Sequence, residues 1–432
     1  MFMDRPGVAA VVLAASLTLT HCASAAEGVF GDWLGLRSRL AALGVDFEVY
    51  YVNEFAANVR GGTRKERADA DQLYLGGRLN LNRLFGLPGA SIVFSLTDRN
   101  GDSIATKAGL HTLLEPQEIH GGGSYTRLNQ LYWQQDLFVN QLVLKFGRMT
   151  GSFDFMPFSC NFQNSTFCAT LPAHNVAANW IPFPYSTWAG IARLNGKQDW
   201  YIQAGVYQVN PQFTQDRYRF AFGSPFGGPG TRKVMEIGWL PKSAGLNGGY
   251  RIGAWSDNFG GGDLYLNTNR GPLATQGGAP LQRHHQFGFY AMAQQLVWSS
   301  GCCSNRSVSV FANFVQTDRR ISTVGQIAEA GVFWKAPLSL RPQDDLGIAV
   351  GRVHVNGLIA QDVALYNAEV ASAAALPPLP IPRAEYPTEI YYTVGVTPAI
   401  AFRPNIEFIH APGGVDERSN VLLFGVHLTV QF

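Results

Sequence analysis

Long hydrophobic runs are absent from this sequence beyond its first twenty residues. A membrane-spanning helix needs about 20 consecutive apolar residues, so none is expected in the rest of the chain. An excess of one charge is missing as well, because 33 basic residues stand against 31 acidic ones, for a net charge of +2. Without a basic excess, nucleic acid is not expected as a partner.

Catalytic and cofactor motifs are also missing. The sequence contains no HExxH, no GxSxG, no P-loop and no paired CxxC motif. His284 and His285 are adjacent at the start of an expected strand, where neighbouring side chains point to opposite faces, so they are poorly placed to hold one metal ion. We therefore predict that the protein is not an enzyme and has no catalytic residues, no metal site and no cofactor.

The N-terminus has the pattern of a secretory signal peptide. Arg5 precedes an apolar stretch over 7–19, and small residues follow at 23–26. We predict that residues 1–26 are a signal peptide, which places the mature protein outside the cytoplasm. A rival interpretation is a lipoprotein signal with Cys22 lipidated, which the bulky residue before that cysteine disfavours.

Two kinds of hydrophobic periodicity follow the signal. The stretch "GDWLGLRSRLAALGVDF" predicts a short amphipathic helix within 27–45, capped by Asp32 and ended by Gly44. From residue 46 to 432 apolar residues alternate with polar ones, as in "VLLFGVHLTVQF" at 421–432, which is the period of a β-strand with one apolar face. Sixteen such segments lie near 46–55, 72–82, 90–97, 126–136, 141–148, 187–194, 199–208, 231–239, 248–256, 285–298, 305–316, 325–335, 345–354, 388–397, 399–410 and 421–432.

The connections between these segments distinguish a membrane barrel from a soluble sandwich, which the strands alone leave open. Several are short, such as "LFVNQ" and "GKQD", and they alternate with long ones at 98–125, 149–186, 209–230, 257–284 and 355–387. Outer-membrane barrels have short periplasmic turns, long outer loops and an even number of strands. We predict an all-β fold, a transmembrane antiparallel barrel of about 16 strands in the bacterial outer membrane, closed by pairing of the last strand with the first.

The stretches "GDWLGLRSRLAALGVDFEVYY", "LNRLFGLPGASIVF", "LNQLYWQQDLF" with "LVLKFGRM", and "FSCNFQNSTFC" occur in an order that resembles the carbohydrate-selective porin (OprB) family. The resemblance runs from about Gly31 to Phe432 and is strongest in the first half. It implies a 16-stranded barrel through which sugars diffuse across the outer membrane. It also implies that Phe432 is the signal that the outer-membrane assembly machinery reads.

If the apolar alternates face lipid, the others face the lumen. The residues predicted to line the pore and contact solute are Glu48, Tyr50, Glu54, Tyr74, Arg78, Lys145, Glu236 and Arg251. A lining of mixed sign selects neither ion sign strongly and offers donors and acceptors to sugar hydroxyls. The alternative for each charged residue is a pair with another charge that holds the barrel in shape. For Arg78, a lining carboxylate such as Glu54 is a possible hydrogen-bond acceptor.

The long loop at 149–186 carries two further expectations. Cys160 and Cys168 are predicted to form a disulfide bond, because they are close in sequence and lie in an oxidising compartment; the bond would contribute on the order of 2 to 3 kcal/mol. The loop is long enough to fold into the lumen and narrow it. Trp180 and Trp188 would then stack on sugars inside the barrel, or they belong to the aromatic girdle on its outer surface. For the adjacent Cys302 and Cys303, a vicinal disulfide, free thiols and bonding to another chain all remain open.

These observations predict a passive porin for neutral sugars or polyols, with outer-membrane lipid and the assembly machinery as partners. Two alternatives remain at this stage. One is an outer-membrane barrel with a blocked lumen and a role in adhesion or assembly. The other is an outer-membrane lipase, against which the lack of a nucleophile motif counts.

Overall fold

The computed structural model of the chain describes residues 28–158, 161–168, 176–177, 180, 182–220, 222–224, 227–243, 246–300, 306–373 and 377–432. Most of these residues are in strands, as the two-residue period predicts. The strands are β1 (Val45–Arg60), β2 (Arg67–Asn80), β3 (Ala90–Gly101), β4 (Thr126–Leu137), β5 (Leu142–Met149), β6 (Thr187–Asn195), β7 (Trp200–Val209), β8 (Gly230–Trp239), β9 (Lys242–Ser243), β10 (Leu246–Asp257), β11 (Gly261–Asn267), β12 (Pro280–Arg283), β13 (Gln286–Ser299), β14 (Ser307–Gln316), β15 (Val324–Lys335), β16 (Asp345–Val355), β17 (Ala384–Thr397), β18 (Ile400–His410) and β19 (Val421–Gln431).

Sixteen of these strands form a closed antiparallel barrel, which confirms the predicted fold class. Each barrel strand pairs with the next one along the chain, and β1 pairs with both β2 and β19. The closing seam runs from Tyr50 opposite Gln431 to Arg60 opposite Leu422. The short β9 pairs with β10 in a turn, while β11 and β12 form a separate hairpin in a long connection. Closure leaves no unpaired sheet edge.

Helices are short and lie in the connections. They are α1 (Leu36–Leu43), α2 (Leu81–Phe85), α3 (Ile104–Ala108), α4 (Leu273–Gln276) and α5 (Gly357–Ala373). The helix expected within 27–45 is α1, which begins later than the sequence suggests because Gly35 precedes it at φ 85°. It ends at Gly44 as predicted, at φ 92°, and the carboxylate of Asp32 accepts a hydrogen bond from the Ser38 amide (2.9 Å). No residue of α1 is fully buried, so the apolar face expected there is only partly covered by the barrel. In the described ranges, no helix has the length and apolarity needed to cross a membrane.

The two faces of each barrel strand differ as the period requires. On β19, Phe424 is exposed on the outer surface, whereas Leu423 and His427 on the alternate positions are buried. On β1, Phe55 is exposed and Glu54 is fully buried. Large apolar side chains therefore cover the outer surface, whereas charged side chains such as Glu54 lie on the inner surface together with apolar ones such as Leu423, which is compatible with a barrel in lipid.

Aromatic side chains gather on the outer surface near the end of the barrel that holds the chain termini. Trp200 stacks on Trp239 (5.6 Å between ring centroids), and Trp239 stacks on Tyr250 (5.4 Å). Trp and Tyr concentrate at the two boundaries between lipid and water. This cluster therefore marks the inner boundary of the membrane belt.

The interior of the barrel is filled in part by two described segments, 150–158 and 161–168, which we call the inward loop. Its Phe158 packs against Phe311 of β14 (4.8 Å), and its Phe162 packs against Tyr391 of β17 (5.0 Å). The loop leaves β5, so these contacts carry it across the lumen to the opposite wall. This interior location is what the length of the connection suggested, and it narrows the channel.

Candidate functional site

All eight residues predicted to line the pore lie on inward positions of their strands. On β1 and β2 they share the inner face with buried residues such as Ala56 and Ala70, and on β8 with Val234. The structure therefore places them where the sequence pattern predicts. Their roles toward a solute remain predictions, and their immediate partners differ from one to the next.

Arg78 and Glu54 do not form the pair that the sequence suggested. Glu54 lies opposite Ala70, eight residues along β2 from Arg78, which corresponds to about 26 Å of strand. Arg78 instead lies 3.7 Å from Asp136 of β4, near the inner end of the barrel. Glu54 contacts Nδ1 of His427 (3.2 Å) across the closing seam. The interpretation of lining charges as pairs is thus right for Arg78, with a different partner.

Lys145 connects the barrel wall to the inward loop. Its Nζ lies 2.6 Å from Asp154 Oδ1, and it also lies over the ring of Tyr132 at 5.2 Å. An ammonium group over an aromatic face is attracted by the ring quadrupole. The side chain is therefore held on two sides, and its position is set by β4 and the loop together.

Glu236 and Arg251 are brought together by a tyrosine. The hydroxyl of Tyr201 donates to Glu236 Oε1 (2.7 Å), and Arg251 Nε donates to the same hydroxyl (3.1 Å). Arg193 lies over the Tyr201 ring at 3.7 Å. The second oxygen of Glu236 accepts from the hydroxyl of Tyr290 (2.7 Å). Such a network fixes each polar group in one orientation.

Tyr50 and Tyr74 form an aromatic surface on the inner wall. Their rings stack at 4.6 Å with an interplanar angle of 15°. Glu48 precedes Tyr50 by one inward position on the same strand. A flat aromatic surface next to a carboxylate can contact the apolar face of a sugar ring and one of its hydroxyls.

Buried carboxylates hold the inward loop against the wall, and these are residues that sequence reasoning missed apart from Glu236. Glu389 accepts hydrogen bonds from the backbone amides of Gln163 and Asn164, both at 2.9 Å. Glu407 accepts from Asn164 Nδ2 (2.8 Å), and Glu236 accepts from the Met156 amide (3.1 Å). Glu389 and Glu407 occupy inward positions on β17 and β18, so period counting would have shown their direction. Their partners lie more than 200 residues away in sequence, which no local pattern reveals.

The connection between β3 and β4, residues 102–125, is held in the same way. Glu54 Oε2 accepts from the Ile119 amide (3.3 Å), and Glu385 Oε2 accepts from the Leu113 amide (2.9 Å). Burial raises the pKa of Glu118 in this connection, and the Arg99 guanidinium opposes the shift. Glu54 therefore anchors this connection to the barrel wall.

A second feature missed from the sequence is a series of arginines stacked on aromatic rings. Arg99, Arg127 and Arg232 occupy inward positions on β3, β4 and β8, whereas Arg148 is a buried residue near the outer end of β5, opposite Trp188. The ring distances are 5.1 Å for Arg99 over Phe183, 4.4 Å for Arg127 over Tyr185, 4.2 Å for Arg148 over Phe213 and 4.1 Å for Arg232 over Trp180. Stacking leaves the edge of a guanidinium free to donate hydrogen bonds in its own plane. These arginines join the wall to the aromatic ends of the long loops.

The two tryptophans of the long loop take opposite roles. Trp180 is buried inside the barrel and meets Trp255 edge to face at 5.3 Å. Trp188 lies on the outer face of β6, where it stacks on Phe146 (5.8 Å) and donates its indole N–H to the Phe222 carbonyl. Trp188 therefore lies on the surface where the girdle interpretation puts it, whereas Trp180 lies inside the barrel, and its stacking on a sugar stays a prediction.

Three expectations concern cysteines and the chain end. Cys168 is buried, but Cys160 lies outside the described residues, as do Cys302, Cys303 and the expected signal peptide, so these expectations stay predictions. Phe432 stacks on Phe30 (5.6 Å) and its amide donates to the Val49 carbonyl (3.0 Å).

In the part of the chain that the structure describes, no group of three His, Cys, Asp or Glu residues could hold a metal ion.

Comparisons with known proteins agree with this architecture. The profile of the family described as "Carbohydrate-selective porin, OprB family" matches residues 64–432. Porin B of Pseudomonas aeruginosa is 33% identical over 96% of this chain and 95% of its own length. The putative porin QuiX of Acinetobacter baylyi is 27% identical over 98% of both chains. The high-pH structure of Pseudomonas putida OprB superposes with a TM-score of 0.89 at 33% identity, covering 95% of this chain and 99% of that one.

Proposed function

Because this chain belongs to the carbohydrate-selective porin (OprB) family, we propose that neutral sugars or polyols cross its lumen along a path lined by paired charges and tyrosine rings. The chain is a porin of the bacterial outer membrane, and sugars diffuse through it along their own gradient. The proposal concerns which residues the solute meets and what they do to it.

The observation that carries the proposal is the position of the inward loop. It is held against β14 and β17 by Phe158, Phe162 and the carboxylate of Glu389, and against β18 by the carboxylate of Glu407. The first part of the loop also contacts β5 and β8, through Lys145 and Glu236. The channel that remains therefore borders β1, β2 and β4, with Lys145 at its edge. On that side the charged side chains are accessible: the exposed fraction is 30% for Arg78, 20% for Asp136 and 19% for Lys145.

The chemistry of this lining suits a neutral polyol. Arg78 and Lys145 each have a carboxylate within 4 Å, so neither ion sign meets an unbalanced field. Both charges of a pair can still bind hydroxyl groups, because guanidinium and ammonium groups donate and carboxylates accept. The stacked Tyr50 and Tyr74 add an apolar surface. A sugar exchanges its water for these groups at little net cost, which favours passage over tight binding.

Single-channel conductance in planar bilayers tests the proposal. The parent protein is expected to conduct, and a permeating sugar is expected to reduce the current in a concentration-dependent way. Arg78→Ala leaves Asp136 without its cation, so ion preference should shift towards cations and sugar block should weaken. Arg270→Ala, which changes an exposed arginine of the outer connection between β11 and β12, is the matched control and should behave like the parent.

Two results would contradict the proposal. A barrel that inserts but does not conduct would favour the alternative of a blocked lumen with a role in adhesion or assembly. A conducting Arg78→Ala protein with unchanged ion preference and sugar block would place the solute path away from Arg78.

The other partners are part of the same proposal. Family and fold are those of a channel, and we keep the prediction that the protein catalyses no reaction. We also propose that the assembly machinery of the outer membrane inserts the barrel, and that nucleic acid is not a partner. The exposed apolar surface requires contact with membrane lipid.

A further inference from the structure

The outer surface of the barrel carries basic side chains at one place along its outer end. On β16, the outward residues Ile348 and Val350 are exposed, and the next two outward positions are Arg352 and His354. On β18, the outward Phe408 is followed by His410. Lipid-facing charge is costly near the middle of a membrane, by roughly 2–4 kcal/mol for arginine, and the cost nearly vanishes at the boundary. These residues therefore lie at the outer boundary of the membrane belt.

The basic residues form one continuous surface. Val353 of β16 lies opposite Glu385, which makes Arg352 and Tyr386 the next outward pair, and Tyr386 lies opposite His410. The rings of Tyr386 and His410 are 5.9 Å apart. We call Arg352, His354, Tyr386, His410 and Arg60 the rim patch.

Arg60 completes the rim patch across the closing seam. Arg60 lies opposite Leu422 of β19, and Leu422 lies opposite Phe408 of β18. Phe408 is the outward residue that precedes His410, so Arg60 is at nearly the same height on the barrel as His410. From β16 to β1 the rim patch spans four strand spacings, or about 19 Å. That width matches a lipid head group with more than one charge better than a single small ion.

The cations of the rim patch have no carboxylate partner among the described residues. Neither the guanidinium of Arg60 nor that of Arg352 takes part in an ion pair of the described structure, and no carboxylate occupies an outward position of β16 or β18. His410 contacts the amide oxygen of Asn420 (2.9 Å). Glu407, three residues before His410, faces the lumen, and the next acidic residues along the chain are Asp416 and Glu417, both exposed in the 411–420 connection.

Directly below the rim patch, on the membrane side, the outward side chains are large and apolar. They are Ile348, Val350, Ile390, Ile406, Phe408 and Phe424. A ligand that satisfies the whole surface must therefore carry anionic groups at its head and long apolar chains beneath them. A planar guanidinium group can donate two parallel hydrogen bonds to two oxygens of one phosphate.

We propose that the rim patch is a binding site for a phosphorylated lipid of the outer leaflet, with its phosphates on Arg60 and Arg352 and its acyl chains on the apolar surface below. Tyr386 provides the interfacial ring between head group and chains, as aromatic residues do at membrane boundaries. This site lies on the outside of the barrel, so it is independent of the sugar path.

Native mass spectrometry of the full barrel, released from a mild detergent, tests the site with bis-phosphorylated lipid A as the probe. The parent should retain the lipid. The double variant Arg60→Ala/Arg352→Ala should bind the lipid at least about tenfold more weakly than the parent, because it loses charge-assisted hydrogen bonds. The matched control is Lys233→Ala, an exposed outward cation on β8, which should retain lipid like the parent.

Two further measurements distinguish a lipid phosphate from free phosphate as the group that binds. Dephosphorylated lipid A should bind the parent and the double variant equally weakly, and inorganic phosphate at millimolar concentration should not displace the lipid. Arg60→Lys/Arg352→Lys keeps the charges and should recover part of the binding, which also shows that the surface folds.

Three outcomes would overturn the proposal. They are equal lipid retention by the double variant and the parent, an equal loss in Lys233→Ala, and displacement of the lipid by inorganic phosphate alone. Conductance and sugar block should be unchanged in the double variant, so a failure here is distinct from a failure of the sugar path.

Discussion

At the scale of single residues, Glu115 shows how the environment sets a charge. It lies in the connection 102–125, where the Ser103 hydroxyl donates to its carboxylate at 2.9 and 3.0 Å. Burial raises the pKa of Glu115 from its ordinary value of 4.5 to about 7, and the hydrogen bond from Ser103 only partly opposes the shift. The closed connection therefore binds a proton that an open one would release.

The stability of this connection is expected to depend on pH. A carboxyl whose pKa is raised in the closed state favours closure below its ordinary pKa, and this advantage is lost as pH rises from about 4.5 to about 7. The free energy of local opening should fall by up to about 3 kcal/mol across that window. Protection factors from hydrogen exchange of amides 104–119, measured between pH 4.5 and 8, check the effect.

Glu115→Gln provides the control for this prediction. Its protection factors should decrease less between pH 4.5 and 7 than those of the parent, because glutamine does not titrate, while Glu118, whose pKa burial also raises, is present in both proteins. The neighbouring His120 has the opposite dependence, since burial and Arg99 lower its pKa. His120 Nδ1 lies 4.0 Å from the Glu115 carboxylate, so the double variant Glu115→Gln/His120→Gln, compared with His120→Gln alone, isolates the contribution of Glu115. Identical pH profiles for the two proteins would rule out Glu115 as the group responsible.

At the scale of elements, the inward loop depends on its contacts with the barrel wall. Its amides at 163 and 164 point at one carboxylate, that of Glu389, which also accepts from Asn405 Nδ2 (2.8 Å). The aromatic side chains of the loop contribute buried apolar surface, while this carboxylate fixes the position of the loop along β17. Removing the charge should therefore loosen the loop without opening the barrel.

Glu389→Gln is expected to increase the mean conductance and its fluctuations and to weaken sugar block. Glutamine keeps one acceptor oxygen but presents an amide N–H₂ to the second backbone amide, which costs on the order of 1–3 kcal/mol. Single-channel recording measures the change. Glu417→Gln, an exposed carboxylate of the 411–420 connection, is the matched control. Recordings of Glu389→Gln that match those of the parent would show that the loop does not limit the current.

The predicted disulfide belongs to the same element. Cys168 is buried at the end of the inward loop, directly after the aromatic contact of Phe167 with Phe162 (5.5 Å). Mass spectrometry without reduction should find the peptides of Cys160 and Cys168 linked. Cys168→Ser should raise current noise while the barrel still resists denaturation, because only the loop is constrained by the bond. Alkylation of both thiols in protein from intact cells would contradict the prediction.

At the scale of the whole molecule, the barrel is completed by pairing between its two ends. Residues 50–60 of β1 meet 422–431 of β19, and the Phe432 amide continues the seam to Val49. The N-terminal segment also contacts the end of this seam. Arg37 donates a hydrogen bond to the Phe432 carbonyl (3.3 Å), and the ring of Phe30 stacks on the ring of Phe432. Every other strand pair forms between neighbours in sequence, so this pair has the greatest sequence separation.

Deletion of Phe432 should therefore lower the amount of barrel in the outer membrane. The deletion removes the last hydrogen bond of the seam and the aromatic residue proposed as the assembly signal, while export across the inner membrane is unaffected. Cell fractionation should find the protein in the periplasm. Conservative replacement by Tyr, which keeps the ring, should restore most of the insertion, and normal outer-membrane levels of the deletion would contradict the prediction.

Local periodicity determined most of this fold. Alternation of apolar and polar residues sets the faces of each strand, so Glu48, Lys145 and Arg251 point inward whatever their partners. Turn lengths set which strands are neighbours, since a short turn allows only an antiparallel hairpin. The strand number, the closed barrel and the lumen-facing positions therefore follow from the sequence.

Only the tertiary structure decided which of these positions meet. Arg78 pairs with Asp136 because β2 and β4 approach across β3, and Glu389 holds the inward loop because that loop crosses the whole lumen. Such contacts depend on where a long connection folds, and a period of two carries no information about that path. The same reason hid the role of Glu54, whose inward direction was clear but whose partners, His427 and the Ile119 amide, are 373 and 65 residues away in sequence.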